Sequence, residues 1–376
     1  GGRILDRKHK LPGLWDVFEL PPYPDSVKGP RIDGLEKAPI LYKKNLGSFT
    51  TLAEGILSGK PYPVKAALVW RHNVLAFPNP DRLVEALKTL DFIAVSDIFP
   101  SEMVQLADVV LPDNTYFESG GLAPRVYHAM YPQVALKEPL PTLYETRGFG
   151  SVALAILRKM GLNEYAPEGM GGGPIMQAGL EALGTSVAEI RGNGGVWGEP
   201  VELKPKTEFN TPSKKIELYS TTLEEHGYDP LPYWQPPRTK LTDEYPLHLL
   251  IYRKPWERMT YTQNDPVLAE FYPENTASLH PDTAGNLGIS DGDYVWVESQ
   301  WGKIKVKAKL TQGIRPDCVA VDHGFGHWSP GLSVAYGKGA NDGDVAPNAT
   351  IEEQLQWKDP SMSAYWEDIA VKVYKA

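Results

Sequence analysis

A chain of 376 residues has room for two or three domains, and 42% hydrophobic content is enough for sizeable cores. A formal net charge of −9, with no basic block anywhere, argues against nucleic acid as the main partner. One cysteine, Cys318, excludes an internal disulfide framework and any multi-cysteine zinc or iron–sulfur site, and no run approaches the roughly 18 apolar residues of a membrane span. The opening Gly1-Gly2-Arg3-Ile4-Leu5 has neither an initiator Met nor a signal peptide, and reads like the middle of a longer protein.

Residues 1–60 are rich in Pro and Gly and suit an extended surface segment, with a short helix over Leu46–Ser58 capped by Ser48 or Thr50. From Val64 the pattern tightens. Val64–Trp70 reads as a buried strand, Pro80–Leu90 as an amphipathic helix with Leu83, Val84, Leu87 and Leu90 inward, and Phe92–Val95 as the next strand. Ser101–Ala107 follows as a helix with Ser101 at its N-cap, then Asp108–Leu111 as a third strand. This βαβαβ order predicts a parallel sheet with right-handed crossovers. Asp97, at the C-terminal end of the second strand, stands where open α/β sheets place a polar group to read a ligand. Taken alone, a helix N-cap or loop role competes with that reading. Glu118 and Asp108 read as structural, the first holding the loop before Gly120-Gly121 and the second capping a strand.

Phe149–Met160 is a further helix closed by Gly161. Gly-rich residues 163–200 suit loops around two short helices, Thr207–Ser220 a hairpin on the Asn-Thr-Pro-Ser turn, and residues 221–242 a linker. The second half then changes character. Leu247–Tyr252, Thr276–Leu279, Tyr294–Ser299, Lys303–Leu310 and Cys318–Asp322 have strand length and Gly/Asp turns between them, as in a β-barrel. The tail adds a loop, a short helix near Tyr365 and a last strand, Ile369–Tyr374. His323 and His327, four apart, would suggest a metal pair on a helix, but the glycines between them disfavour a helix, and a zinc site is not expected. Cys318, at a strand start, reads as a small core residue.

Four segments in order resemble the C-terminal half of the molybdopterin oxidoreductase (dimethyl sulfoxide reductase) family. They are SEMVQLADVVLPDNTYFES after Asp97, EFNTPSKKIELYS with Lys214 in place of the usual Gly, TYTQNDPVLAEFYPENTASLHPDTAGNLGISDGDYVWVES, and HGFGHWSP with the Gly/Asn-rich loop ending at Asn348. TQNDP, GYDPLPYW and HGFGHW look most like the polysulfide, thiosulfate and tetrathionate reductase branch. The resemblance implies an α/β domain over residues 1–240 and a double-psi-type β-barrel over 241–376, each holding one molybdopterin guanine dinucleotide of a bis-molybdopterin guanine dinucleotide complex of molybdenum or tungsten.

For the site, the resemblance implies Asp97 accepting from the guanine edge, as carboxylates accept from bases, with Asn73 lining the same nucleotide. Arg253, Thr260, Thr262 and Gln263 offer guanidinium, hydroxyl and amide groups to a phosphate- and pterin-rich ligand. Gly326 and its neighbour Gly324 would let a flat ligand approach the backbone, with His323 and His327 beside it and Asn348 facing the pterin. No catalytic acid/base pair and no metal ligand is discernible; the family's metal ligand and [4Fe–4S] cysteines belong to a preceding segment. The implied activity is reduction of polysulfide, thiosulfate or tetrathionate. An arsenate or other oxyanion reductase, or a non-catalytic split subunit that binds the cofactor, are the alternatives. The implied partners are the N-terminal half of the subunit, an iron–sulfur electron-transfer subunit and a membrane anchor, at a periplasmic or outer-face location.

Overall fold

The computed structural model describes residues 11–22, 29–38, 40, 47–124, 133–200, 205–237, 239–347, 349–359, 362, 364, 366 and 368–376. They group into two compact units, one of Gly1–Gly29 with Leu111–Tyr219, the other of Pro30–Val110 with Ser220–Ala376. The second unit carries the barrel and the α/β sheet up to Val110.

Strands β1 (Ala66–Trp70), β2 (Phe92–Asp97) and β3 (Val109–Pro112) form a three-stranded parallel sheet in the order β1-β2-β3. Asp97 is therefore the last residue of β2, two residues beyond Val95, the predicted strand end. The helix Pro80–Leu87 starts where Pro80 loses nothing by lacking an N–H, and the Asn79 side chain accepts from Arg82 N at 3.3 Å. It buries Leu83, Ala86 and Leu87 on Ile93 and Val95 of β2, together with Ala53 and Ile56 of the helix Leu52–Ser58. That earlier helix is shorter than predicted. Its N-cap is Thr51, whose hydroxyl donates to Asp33 O at 2.8 Å instead of capping, and the predicted caps Ser48 and Thr50 bond each other at 3.0 Å; Leu46 lies outside the described residues.

In the first unit β4 (Gly121–Pro124), β5 (Gln133–Lys137) and β6 (Val196–Gly198) make a small antiparallel sheet. Val134 and the Leu183 end of the helix Gly172–Leu183 form its core. The predicted hairpin over 207–220 is absent: these residues run through turns, with Phe209 N donating to Lys214 O and Lys214 in a left-handed conformation at φ 59°. Its alternating apolar residues find no layer to bury against, and Leu218 stays 81% exposed.

The closed barrel has six strands, β7 (Leu247–Tyr252), β8 (Thr276–Leu279), β9 (Tyr294–Glu298), β10 (Lys303–Leu310), β11 (Cys318–Asp322) and β12 (Ile369–Lys375). Two pairs, β7/β11 and β8/β10, are parallel and the rest antiparallel. Alternation drives closure: Ile304, Val306 and Ala308 of β10 point in with Leu249, Val297, Val319 and Val371, while Lys303 and Lys305 stay outside. Cys318 is buried at the start of β11, as its sequence setting suggests. The tail holds an unpredicted helix, Ile351–Gln356, fixed by a capping box between Thr350 and Glu353; Tyr365 is outside the described residues.

Leu249 is fully enclosed by this core. Leu249→Ala is expected to cost about 2–5 kcal/mol, read as a lower urea midpoint at unchanged slope.

Candidate functional site

The second unit brings the end of β2 against the loops at one end of the barrel. A cleft there is walled by Asn73, Asp97, Phe99 and Ser101 from the sheet and by Thr260, Tyr261, Asn264 and Leu332 from the barrel. Three of the sequence-nominated residues, Asn73, Asp97 and Thr260, thus meet although they are far apart in the chain.

Asp97 is buried and holds its own loop: Oδ1 accepts from Ile98 N at 2.7 Å and Phe99 N at 3.3 Å, and Oδ2 from Ser101 Oγ at 2.9 Å. Ser101 occupies the predicted N-cap position, but its hydroxyl is spent on Asp97 and caps nothing. Burial pushes the Asp97 carboxyl up, and the Ser101 hydroxyl, the two amides and the Arg71 charge pull it back only in part. Oδ1 thus has both its lone pairs in use, and Oδ2 keeps capacity for one further donor.

The residue that organises this region is Glu102, which the sequence reading passed over. It is fully buried, and its carboxylate accepts from Asn73 Nδ2 at 2.6 Å and from the backbone N–H groups of Trp328 and Ser329, each at 2.9 Å. His327 Nδ1 sits 3.1 Å from both of its oxygens. Burial alone would raise the Glu102 carboxyl, but the His327 hydrogen bond and charge, with Asn73 and Ser329, bring it down to about 2. An acid in the first turn of a helix reads as a helix-dipole residue; Asn73 lies 29 positions away and the other three partners more than 200, so they leave no local trace.

His327 itself is buried, with Nε2 lacking any hydrogen-bond partner among the described residues. Its sequence neighbour His323 pairs Nδ1 with Asp342 Oδ2 at 2.8 Å. Both histidines therefore have carboxylates, each distant in sequence, yet no group of three or more metal-ligating side chains forms among the described residues. The glycines between them do not open space for a ligand. A Cβ on Gly324 (φ 97°) would lie 2.0 Å from Met259 O, and one on Gly326 (φ 83°) 2.4 Å from Asn341 N, so the protein's own chain fills both places.

On the 253–264 loop, Gln263 is buried, donates to Met259 O at 2.6 Å and leaves Oε1 without a partner among the described residues. Thr262 Oγ1 accepts from Arg258 N, and Arg253 is exposed with Nη1 2.9 Å from Met259 Sδ, so both serve the loop itself. Asn264 Oδ1 accepts from Val334 N and Ala335 N, and the Tyr261 hydroxyl donates to Arg71 O, tying the loop to both walls. Asn348 lies outside the described residues. Asp108 accepts from Ile93 N, and Glu118 from Thr115 and Leu143 N, as structural residues do.

A second network, also unforeseen, closes the barrel end. Lys254 Nζ donates to Tyr252 OH at 2.7 Å and lies 3.3 Å from Asp322 Oδ1, while Tyr272 OH donates to Asp322 Oδ2. Beside it Glu257 accepts from Lys254 N and keeps a buried oxygen unpaired among the described residues. Burial, with the Asp322 charge, pushes the Glu257 carboxyl up to about 7, and burial with Asp81 and Asp342 does the same to Asp344.

Comparison with known proteins decides the family. Residues 45–130 match the family model described as Molybdopterin oxidoreductase, and residues 247–354 the one described as Molydopterin dinucleotide binding domain. The chain belongs to the molybdopterin oxidoreductase family. It is 30% identical to the thiosulfate reductase molybdopterin-containing subunit of Salmonella typhimurium over 81% of this chain and 43% of that protein. The arsenate respiratory reductase molybdopterin-containing subunit of a Shewanella strain is 27% identical over 98% of this chain and 52% of its own length. Among solved structures, acetylene hydratase from Pelobacter acetylenicus superposes with a TM-score of 0.71 at 25% identity, covering 88% of this chain and 47% of the other. The chain thus spans about half the length of the relatives it matches.

The matched domains are those of a molybdenum bis-molybdopterin guanine dinucleotide cofactor. The donor set fits such a group: unpaired buried atoms on His327 and Gln263, and a cleft whose walls offer a carboxylate, an amide and a hydroxyl.

Glu102→Gln should lower stability by about 3–5 kcal/mol, because a single amide oxygen cannot serve four donors and an NH2 then faces them. With a folded value near 2, the Glu102 contribution is complete above its ordinary value of 4.5 and fades as pH falls toward 2, so acid-induced unfolding should be flatter in the variant. Glu257 and Asp344 carry the opposite sign. Their raised values mean stability is lost as pH climbs toward and through about 7, and Glu257→Gln with Asp344→Asn should flatten a Tm profile in that range.

Proposed function

We propose that the sheet-and-barrel unit holds a guanine dinucleotide arm of the molybdenum cofactor in the cleft at the end of β2, within an enzyme that reduces an oxidised sulfur compound such as thiosulfate, polysulfide or tetrathionate. The observation that carries the binding reading is the meeting of Asp97, Asn73 and Thr260 in one cleft, with the buried His327 Nε2 left unpaired among the described residues. Asp97 keeps one acceptor site, on Oδ2, for an amino or imino hydrogen of guanine, and its loop is already fixed by three internal bonds. His327, held through Nδ1 by Glu102, presents Nε2 in a set direction to a phosphate or pterin atom. Gln263 offers a carbonyl oxygen, fixed by its bond to Met259. A closed barrel with two parallel strand pairs is in keeping with the double-psi class.

When bound, the molybdenum–dithiolene group supplies two-electron redox chemistry; the residues of this chain bind it, orient it and exclude water around it. The sulfur-compound reading draws support from the similarity to thiosulfate reductase, and an arsenate-reducing enzyme is the second reading because that relative matches 98% of the chain. By family analogy the active protein includes the other half of the subunit, with an iron–sulfur electron-transfer subunit and a membrane anchor, on the outer face of the membrane.

Asp97→Ala in the assembled enzyme should cut guanine dinucleotide retention about tenfold or more, measured by release and chromatography, with a Tm change of a few degrees at most. Unchanged occupancy with a large loss of stability would mark Asp97 as a loop-fixing residue only. The 376-residue chain alone should give no turnover with reduced viologen, whereas the assembled enzyme should prefer thiosulfate, polysulfide or tetrathionate over arsenate.

A further inference from the structure

The cleft at the end of β2 is closed as it stands. Its volume is about 10 Å³, room for one water molecule, whereas pockets that take a small organic ligand run to roughly 300–1,000 Å³. Tyr261 has the largest side chain in its lining and also joins the two walls: its backbone belongs to the barrel loop, and its hydroxyl donates to Arg71 O on the sheet side. The loop backbone is fixed around this residue. Tyr261 N donates to Arg258 O at 3.0 Å, Gln263 Nε2 to Met259 O at 2.6 Å, and Asn264 Oδ1 accepts from Val334 N at 3.0 Å. Met259 O is pressed against Gly324, so the loop has no room to sink into the barrel. What is left to move is the Tyr261 side chain.

The catch on the other wall is strained. Arg71 has φ 47°, a left-handed conformation that costs a non-glycine residue energy and gathers at ligand clamps. Its N–H is spent on Ser96 O at 2.9 Å, and its carbonyl takes the Tyr261 hydroxyl. Burial first, then the Asp97 charge, push that hydroxyl up against the pull of Arg71 and Arg258, so it remains a donor across the ordinary pH range.

We propose that Tyr261 is the gate of this cleft: its ring closes the slot while Arg71 O holds the hydroxyl, and it swings aside to admit a flat heterocyclic base. The inference rests on the cofactor reading of the cleft and adds a controlled entry to it. Phe99 and Leu332 are the apolar lining against which such a base packs, and Asp97 Oδ2 keeps the acceptor that it meets. The shut form competes with the ligand, so the bond to Arg71 O lowers apparent affinity by the fraction of time the gate is closed. Loss of the hydroxyl therefore tightens binding, whereas a tyrosine that merely contacted the base would bind it less well without its hydroxyl.

Tyr261→Phe keeps the ring and removes the catch. In the assembled enzyme prepared free of cofactor, the variant should bind guanosine 5′-monophosphate about three- to tenfold tighter, the span of one ordinary hydrogen bond. Stopped flow should place the gain in association, with dissociation unchanged. Equal or weaker binding by the variant overturns the proposal. A second measurement keeps the hydroxyl: 3-fluorotyrosine at position 261, followed by fluorine NMR, should show a major and a minor form without ligand, the minor one growing as the nucleotide is added. One resonance that stays in place with the nucleotide bound also overturns it. If neither protein binds the nucleotide while the Tyr261 signal still exchanges between two environments, the cofactor reading of the cleft falls and the gate stands.

Discussion

A single buried carboxylate governs the geometry of the sheet-and-barrel unit. Glu102 starts a helix that follows β2, yet its acceptors are filled by Asn73 from the loop after β1 and by His327, Trp328 and Ser329 from beyond β11. Desolvating a carboxylate costs several kcal/mol unless its lone pairs are met, and here four donors meet them. The condition works in reverse as well: the donors can converge only if sheet and barrel loops stand in one relation. Asn341 Nδ2, donating to Leu75 O at 3.1 Å, repeats that constraint a short way off. The position of the cleft, and the direction of His327 Nε2, are consequences of where Glu102 sits.

The barrel end beside it is built on a costlier principle. Asp322 is fully buried, and its charge is met by Lys254 and by the Tyr272 hydroxyl, while Lys254 lies over the Tyr252 and Tyr272 rings at 4.6 and 4.9 Å. Such a network fixes the first residues of the 253–264 loop, whose later residues face the cleft. Glu257 and Asp344, pushed up by burial and by neighbouring acids, carry stability that fades as pH rises toward neutrality, whereas Glu102 carries stability that fades in acid. These contributions oppose each other, Glu102 favouring the fold above the acid range and the other two favouring it below neutrality.

Much of the framework could be read from the chain because it rests on local periodicity. The alternation Lys303–Leu310 and the apolar run at β2 specify strands whatever lies elsewhere, and they came out within a residue or two. The 207–220 segment misled for the same reason: its alternation is real, but a hairpin needs a layer beneath it, and Ile216 and Leu218 have none. Site residues divide similarly. Asp97, Asn73 and Thr260 follow strand ends and loops that motif order can place. Glu102, Lys254 and Asp322 act through partners that only the fold brings near, and nothing in their immediate neighbourhood announces it. The Thr350–Glu353 capping box was the exception, a local signal present in T-I-E-E and overlooked.

The glycines of the His323–His327 stretch show how the functional and the structural demands separate. A flat ligand would have been one reason for Gly324 and Gly326, but their missing side chains make room for Met259 O and for Ala340–Asn341. The cradle is therefore shaped by protein packing on protein, with the 259–263 loop pressed against 324 and the 340–341 turn against 326. What remains is narrow and specific: the wall of Asp97 on the cleft, with His327 Nε2 and one oxygen of Gln263 buried and unpaired among the described residues. A site with its backbone already locked by internal contacts pays little ordering entropy when the ligand arrives, which suits a cofactor held for the lifetime of the protein.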